Sequence, residues 1–116
     1  MLFRSQTITT GGLTFGIANG GTSGNAATAF AWCDGTVLGQ TGWRVPTYTE
    51  IKTLATYISS QGGTTYMSAK GWPYSGTLLY WTSTIYSGSS YTAVNLPGTV
   101  GEARAPTQSA AMACVK

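Results

Sequence analysis

Histidine is absent from this chain and charge of either sign is scarce, with three carboxylates, Asp34, Glu50 and Glu102, set against six basic residues among 116. Without histidine the commonest general base is missing. Three carboxylates dispersed along the sequence also do not suggest the flanking pair that glycoside hydrolysis requires. Calcium takes six to eight oxygens, carboxylates among them, and one of the three acids is already assigned to a helix cap below. Cysteine is limited to Cys33 and Cys114, and two cysteines with no histidine cannot close a tetrahedral structural zinc site. No glycine-rich loop carries the Lys-Ser/Thr of a phosphate cradle. The expectation is a protein without catalytic activity, metal or cofactor.

Long apolar runs are missing too. None approaches the roughly 20 residues that span a bilayer, so direct membrane insertion is not expected. The start, Met1-Leu2-Phe3-Arg4, lacks the apolar core of a signal peptide, and any export signal is expected outside these residues, in a longer polypeptide. The net charge of +3 comes from Arg4, Arg44, Lys52, Lys70, Arg104 and Lys116, which are scattered. A phosphate-binding stripe gathers several cations on one face, so nucleic acid is not an expected partner.

What the chain does have is glycine, hydroxyl residues and aromatics. Hydrophobic residues make up 42% and charged ones 8%, so solubility must come from hydroxyls and backbone. That balance is unusual for a cytosolic protein. An oxidised structural pair is the better reading of Cys33 and Cys114, and it implies a periplasm or cell exterior. Such a bridge would tie an early helix to the last strand and close a loop worth about 4 to 5 kcal/mol. The length suits a single domain, residues 1–116, able to bury roughly two thirds of its unfolded surface.

Along the chain, Thr7-Ile8-Thr9 and Leu13–Ile17 alternate at the strand period and are broken by Gly11-Gly12 and Gly20-Gly21, so residues 1–22 read as strands and turn. Ala26, Phe30 and Cys33 recur at helical spacing, with Ser23 or Asn25 as N-cap and Asp34-Gly35 as the end. Thr47-Tyr48-Thr49-Glu50 fits a capping box. Behind it Ile51, Leu54, Ala55 and Ile58 form a helical stripe that stops at Gln61-Gly62-Gly63. Pro46 biases Val45 toward an extended conformation. Residues 64–76 read as an irregular loop, and strands follow at Leu78–Ile85, Tyr91–Leu96 and Ala110–Val115, with Met112 and Cys114 on one face.

The order Ala29-Phe30-Ala31-Trp32-Cys33, Gly42-Trp43-Arg44-Val45-Pro46-Thr47 with Glu50 and Leu54, Tyr80-Trp81-Thr82-Ser83-Thr84, and Ala113-Cys114-Val115-Lys116 resembles the C-terminal C-type-lectin-like domain of the intimin and invasin adhesins. These are outer-membrane proteins of Gram-negative bacteria, also called inverse autotransporters. The resemblance spans residues 23–116. It implies an α+β fold of the C-type-lectin-like kind, two helices with small antiparallel sheets, and one disulfide joining Cys33 to Cys114. It also implies display at the bacterial cell surface, after immunoglobulin-like domains of the same polypeptide. The Glu-Pro-Asn, Gln-Pro-Asp and Trp-Asn-Asp segments of calcium-dependent sugar-binding lectins have no counterpart here, and Pro73, Pro97 and Pro106 lie in no such motif. Trp43 and Val45 read as core, diagnostic of fold.

Tyr66, Trp72, Tyr74, Tyr80, Trp81, Tyr86 and Tyr91 crowd into one stretch. Rigid rings on loops supply contact area at low entropy cost. Strand alternation turns one of Tyr80 and Trp81 inward, and Trp81 is taken as core. Trp72, Tyr74 and Tyr86 stand beside Gly, Ser and Pro, and the choice between core and surface stays open for them. The candidate binding residues are Trp72, Tyr74, Tyr86, Tyr66 and Tyr91, framed by Lys70 and Arg104, with Lys52 next. The expected function is that of a receptor-binding tip domain, a virulence-type adhesin that attaches to a host or neighbouring-cell surface protein without calcium. The alternative is a calcium-independent glycan-binding module in which Trp72 and Tyr74 stack on sugar rings. A third reading is a structural cap that seals the rod of preceding domains.

Overall fold

A computed structural model describes residues 7–17 and 23–116; the Met1–Arg4 start and the Gly20-Gly21 break lie outside the described residues. Strands β1 (Thr7–Thr10) and β2 (Leu13–Ile17) form an antiparallel hairpin. Its turn falls on Gly11 and Gly12, whose φ values of 61° and 77° side-chain-bearing residues rarely adopt. After β3 (Ser23–Gly24) comes helix α1 (Ala26–Asp34), capped by Asn25, whose side chain accepts from the Thr28 N–H at 2.9 Å. Helix α2 (Tyr48–Ser60) starts at the Thr47/Glu50 capping box, and α3 (Thr64–Lys70) follows after Gly62-Gly63. The remaining strands are β4 (Tyr80–Ser87), β5 (Ser90–Val94), β6 (Gly101–Arg104), β7 (Ala110–Ala111) and β8 (Ala113–Val115).

These elements make a small α+β domain with three helices, two sheets and one disulfide. The sheet orders are β1-β2-β8 and β3-β7-β4-β5-β6. The last run, Ala110–Val115, is shared between the sheets: its first half pairs with β3 and β4, its second with β2. Both faces of this run are covered, and its side chains alternate between two cores. Ala111, Ala113 and Val115 join Phe15, Ile51, Leu54, Ile58 and Trp72 under α2 and α3. Ala110, Met112 and Cys114 join Ala29, Cys33, Trp43 and Trp81 under α1. Strands buried on both faces lose the alternation of apolar and polar residues that marks a half-exposed strand.

Five expectations are corrected by this arrangement. Tyr80 and Trp81 are both buried, at 0% and 1% exposure, because β4 lies between the two cores and alternation sends one ring to each. Residues 64–70 are the third helix rather than loop; α3 buries only Met67 and so shows no helical stripe in sequence. The larger sheet is mixed rather than antiparallel, since β4 and β7 run parallel. Residues 101–104 form the edge strand β6, with Glu102 and Ala103 exposed, where no strand was expected. In α1 the buried residues are Ala26, Ala29 and Cys33, and Phe30 is left 37% exposed. The disulfide holds the Cα atoms of Cys33 and Cys114 5.4 Å apart, which draws helix and strand so close that alanine fits between them and phenylalanine does not.

Glycine makes a second close approach possible. A methyl on Gly16, in β2, would come within 3.1 Å of the Trp43 ring and 3.0 Å of Leu38. The indole therefore lies almost directly on the strand, and its Nε1–H donates to the Gln40 carbonyl at 3.1 Å. Arg44, the next residue, exchanges two backbone hydrogen bonds with Val115, at 2.9 and 2.8 Å. In this way the Trp43–Val45 segment closes the free side of β8.

Candidate functional site

The approach to α2 is held by three sets of bonds. Thr47 Oγ1 accepts from the Glu50 N–H at 3.2 Å while Glu50 Oε1 accepts from the Thr47 N–H at 2.9 Å, the capping box expected from sequence. Arg44 donates to both oxygens of the same carboxylate, each at 2.7 Å. The guanidinium is the largest influence holding the Glu50 carboxyl below the usual glutamate range, with the Thr47 N–H adding to it against a desolvation cost. The same bond raises Arg44. From β4, Thr84 Oγ1 accepts the Tyr48 N–H at 2.9 Å and the Ser83 N–H donates to the Pro46 carbonyl at 2.9 Å. A register irregularity between Trp81 and Ile85 frees these residues from regular pairing with β5, as bulges do, and turns them toward the helix start.

Beside this junction lies a groove of about 620 Å³. Phe30, Ala31 and Asp34 of α1 contribute to it from one element, Trp43, Arg44, Val45 and Thr47 from the connecting segment, and Ser83 from β4. Apolar surface lines most of it, and its polar groups are one ion-paired guanidinium, one carboxylate and two hydroxyls; it contains no amide side chain. Phe30 continues the apolar surface onto the sheet. Its ring packs on Tyr91 at 5.4 Å, Tyr91 meets Trp81 edge to face at 6.3 Å, and Ile85, 53% exposed, lies opposite Tyr91 in the ladder. Phe30, Tyr91 and Ile85 thus form one apolar face next to the groove.

The seven residues proposed from sequence do not gather at one place. Trp72 is 2% exposed and stacked on Tyr80, with ring centroids 6.0 Å apart and an interplanar angle of 26°. It is a core residue and offers no ring to a ligand. The cause is local: α3 ends at Gly71 in the left-handed conformation, the Trp72 N–H returns to the Met67 carbonyl at 2.9 Å, and the chain turns inward. The Tyr80 hydroxyl donates to the Pro73 carbonyl, and burial pushes that phenol well above its ordinary value. Tyr66 and Lys70 are together on α3, where the Lys70 ammonium lies 5.8 Å from the Tyr66 ring centre and Tyr66 packs edge to face on Tyr57. Burial raises the Tyr66 phenol, with Tyr57 adding to it. Tyr91 and Arg104 are paired across β5 and β6, where the Arg104 guanidinium Nε donates to the Ser109 carbonyl at 3.1 Å. Tyr74 and Tyr86 are exposed, at 45% and 55%.

Three features of this surface escaped the sequence reading: the outward turn of Phe30, Ile85 beside Tyr91, and the groove along Arg44 and Thr47. The signal for the first was available in the small residues Ala26 and Ala29, which mark the close side of a disulfide-tethered helix. Among the described residues no group of three or more His, Cys, Asp or Glu side chains is placed to hold a metal ion, and no helix is long and apolar enough to cross a membrane. No family model matches this chain, and no curated protein matches it.

Proposed function

We propose that this chain is a receptor-binding domain of a bacterial surface adhesin of the intimin and invasin type, carried outside the cell by a longer polypeptide and attaching through protein contact without calcium. The observation that supports this reading is the apolar face of Phe30, Tyr91 and Ile85 running into the groove beside Arg44. Aromatic and aliphatic anchors with an arginine at the margin are the composition of protein-binding hot spots. A sugar cleft would instead combine a ring with amide side chains, and this groove has none. The disulfide agrees with an oxidising compartment. The C-type-lectin-like assignment belongs to the same proposal, supported by the disulfide-tethered core under α1 and by Trp43 seated on β2 beside the final strand.

The glycan alternative built on Trp72 and Tyr74 loses its stacking platform with the burial of Trp72. The test is attachment of the purified, oxidised domain to intact animal cells, measured by flow cytometry. Binding is expected to persist in chelator, to vanish after mild protease treatment of the cells, and to fall about tenfold for Phe30→Ala or Ile85→Ser, the loss of one good anchor. Binding that survived both substitutions in folded protein, or that needed calcium, would refute the proposal.

A further inference from the structure

Strand β6 is the outer strand of the larger sheet: β5 pairs with one of its sides, and among the described residues no element pairs with the other. An open edge offers its unpaired N–H and C=O groups to any strand that meets it. This edge is braced at both ends. The Tyr48 ring lies over Gly101, where a methyl would come within 3.1 Å of it, and the Tyr48 hydroxyl donates to the Thr99 carbonyl at 2.7 Å. At the far end Arg104 Nε and Nη2 donate to the Ser109 carbonyl at 3.1 and 2.5 Å. A strand so held needs little further ordering to accept a neighbour.

Its charges select which neighbour. An edge bearing charge of one sign repels its own copy, whereas β6 carries Glu102 and Arg104 on one face, on either side of Ala103. Among the described residues Glu102 has no ion-pair partner, and Arg104 keeps its Nη1 donors outside the bonds to Ser109. Opposed residues of an antiparallel pair are both hydrogen-bonded or both not, so a two-fold axis between two copies of β6 must pass through a residue. With Glu102 or Arg104 on the axis, like charges meet. With Ala103 on it, Glu102 of each copy stands opposite Arg104 of the other, and only methyl groups face one another at the centre.

We propose that β6 is a self-association edge, pairing antiparallel with the same strand of a second copy about an axis through Ala103 and joined by two Glu102–Arg104 ion pairs. The pairing is isologous and closes as a dimer; the opposite edge of the sheet, β3, has only two residues with which to propagate it. Residues opposed across antiparallel strands share a face, and Arg104 is opposite Tyr91. The dimer therefore presents both Tyr91 rings on one side of a continuous sheet, three strand spacings or about 14 Å apart across it. Two apolar faces side by side bind a clustered receptor with avidity. That consequence rests on the adhesin reading, whereas the pairing itself does not.

The experiment is sedimentation velocity of the oxidised full chain from about 10 µM to about 1 mM, with a dissociation constant of about 0.1 to 1 mM expected for so short an edge. Glu102→Arg and Arg104→Glu each set like charges opposite one another and are expected to weaken association about tenfold or more. Mixing the two single variants restores both ion pairs in a heterodimer, and the exchanged Glu102→Arg/Arg104→Glu chain restores them in a homodimer, so both samples should sediment like the parent. Glu102→Arg, at an exposed position clear of the Ser109 bonds, decides the matter alone if Arg104→Glu disturbs the turn. Lys70→Glu, the same change of charge on α3, should leave association unchanged. A chain still monomeric at about 1 mM, a dimer indifferent to Glu102→Arg, or single variants that stay monomeric when mixed would each overturn the proposal. So would an equal loss with Lys70→Glu, or an edge that takes up a strand peptide of another protein while the chain stays monomeric.

Discussion

Removing the Cys33–Cys114 bridge should cost this domain a large share of its stability. The two cysteines are 81 residues apart in sequence and 5.4 Å apart at Cα. Reopening a loop of that length returns about 4.5 kcal/mol of chain entropy to the unfolded state at 25 °C. A domain of this size has a total stability of roughly 6 to 17 kcal/mol. Alanine is the right replacement at both positions, since both sulfurs are fully buried in the core under α1. Serine would add two buried hydroxyls at about 1 to 3 kcal/mol each if left unbonded, which would obscure the loop-closure effect. The assay is urea unfolding followed by tryptophan fluorescence, comparing the oxidised domain with the Cys33→Ala/Cys114→Ala variant. The expected outcome is a loss of about 3 to 5 kcal/mol together with a steeper dependence on urea, because the released chain exposes more surface. A variant within about 1 kcal/mol of the parent, with unchanged slope, would refute the assignment of the bridge as the staple between α1 and β8.

Trp72→Ala should destabilise by about 3 to 5 kcal/mol because the ring is stacked in the core, whereas Tyr74→Ala, at an exposed ring, should change stability by less than about 0.5 kcal/mol; thermal melts of both variants check the pair. Glu50→Gln should cost about 0.5 to 1 kcal/mol at neutral pH, a value kept small because the Arg44 side chain is 52% exposed. Since folding lowers the Glu50 pKa, its contribution is present above the ordinary glutamate range and is lost as pH falls through the lowered value. The gap between parent and variant should therefore close in acid, and a gap that persisted there would contradict the ion-pair account. Gly16→Ala should destabilise by about 1 to 3 kcal/mol, as an added methyl presses on the Trp43 ring, and the indole fluorescence should shift with it.

The parts of the fold that were legible in the sequence are those encoded by neighbours in the chain. The capping box at Thr47 and Glu50, the stripe of Ile51, Leu54, Ala55 and Ile58, the Gly11-Gly12 turn and the α1 cap, which the structure assigns to Asn25 rather than Ser23, all lie within one or two turns of the residues they organise. Cys33 and Cys114 were legible for another reason: with two cysteines there is only one way to pair them within the chain.

Beyond the small residues Ala26 and Ala29 that mark the close side of α1, the candidate surface was not legible, because its features depend on what packs from far away in sequence. Tyr80 and Trp81 are both interior since two separate cores flank β4, and no local pattern distinguishes an aromatic strand covered on both faces from one covered on a single face. Phe30 is at the surface since a disulfide pulls its helix onto a strand more than eighty residues later in the chain. Side-chain chemistry and local hydrogen bonds set the helices and turns, whereas exposure of an aromatic ring is a property of the whole packed volume, decided by which distant elements meet over it.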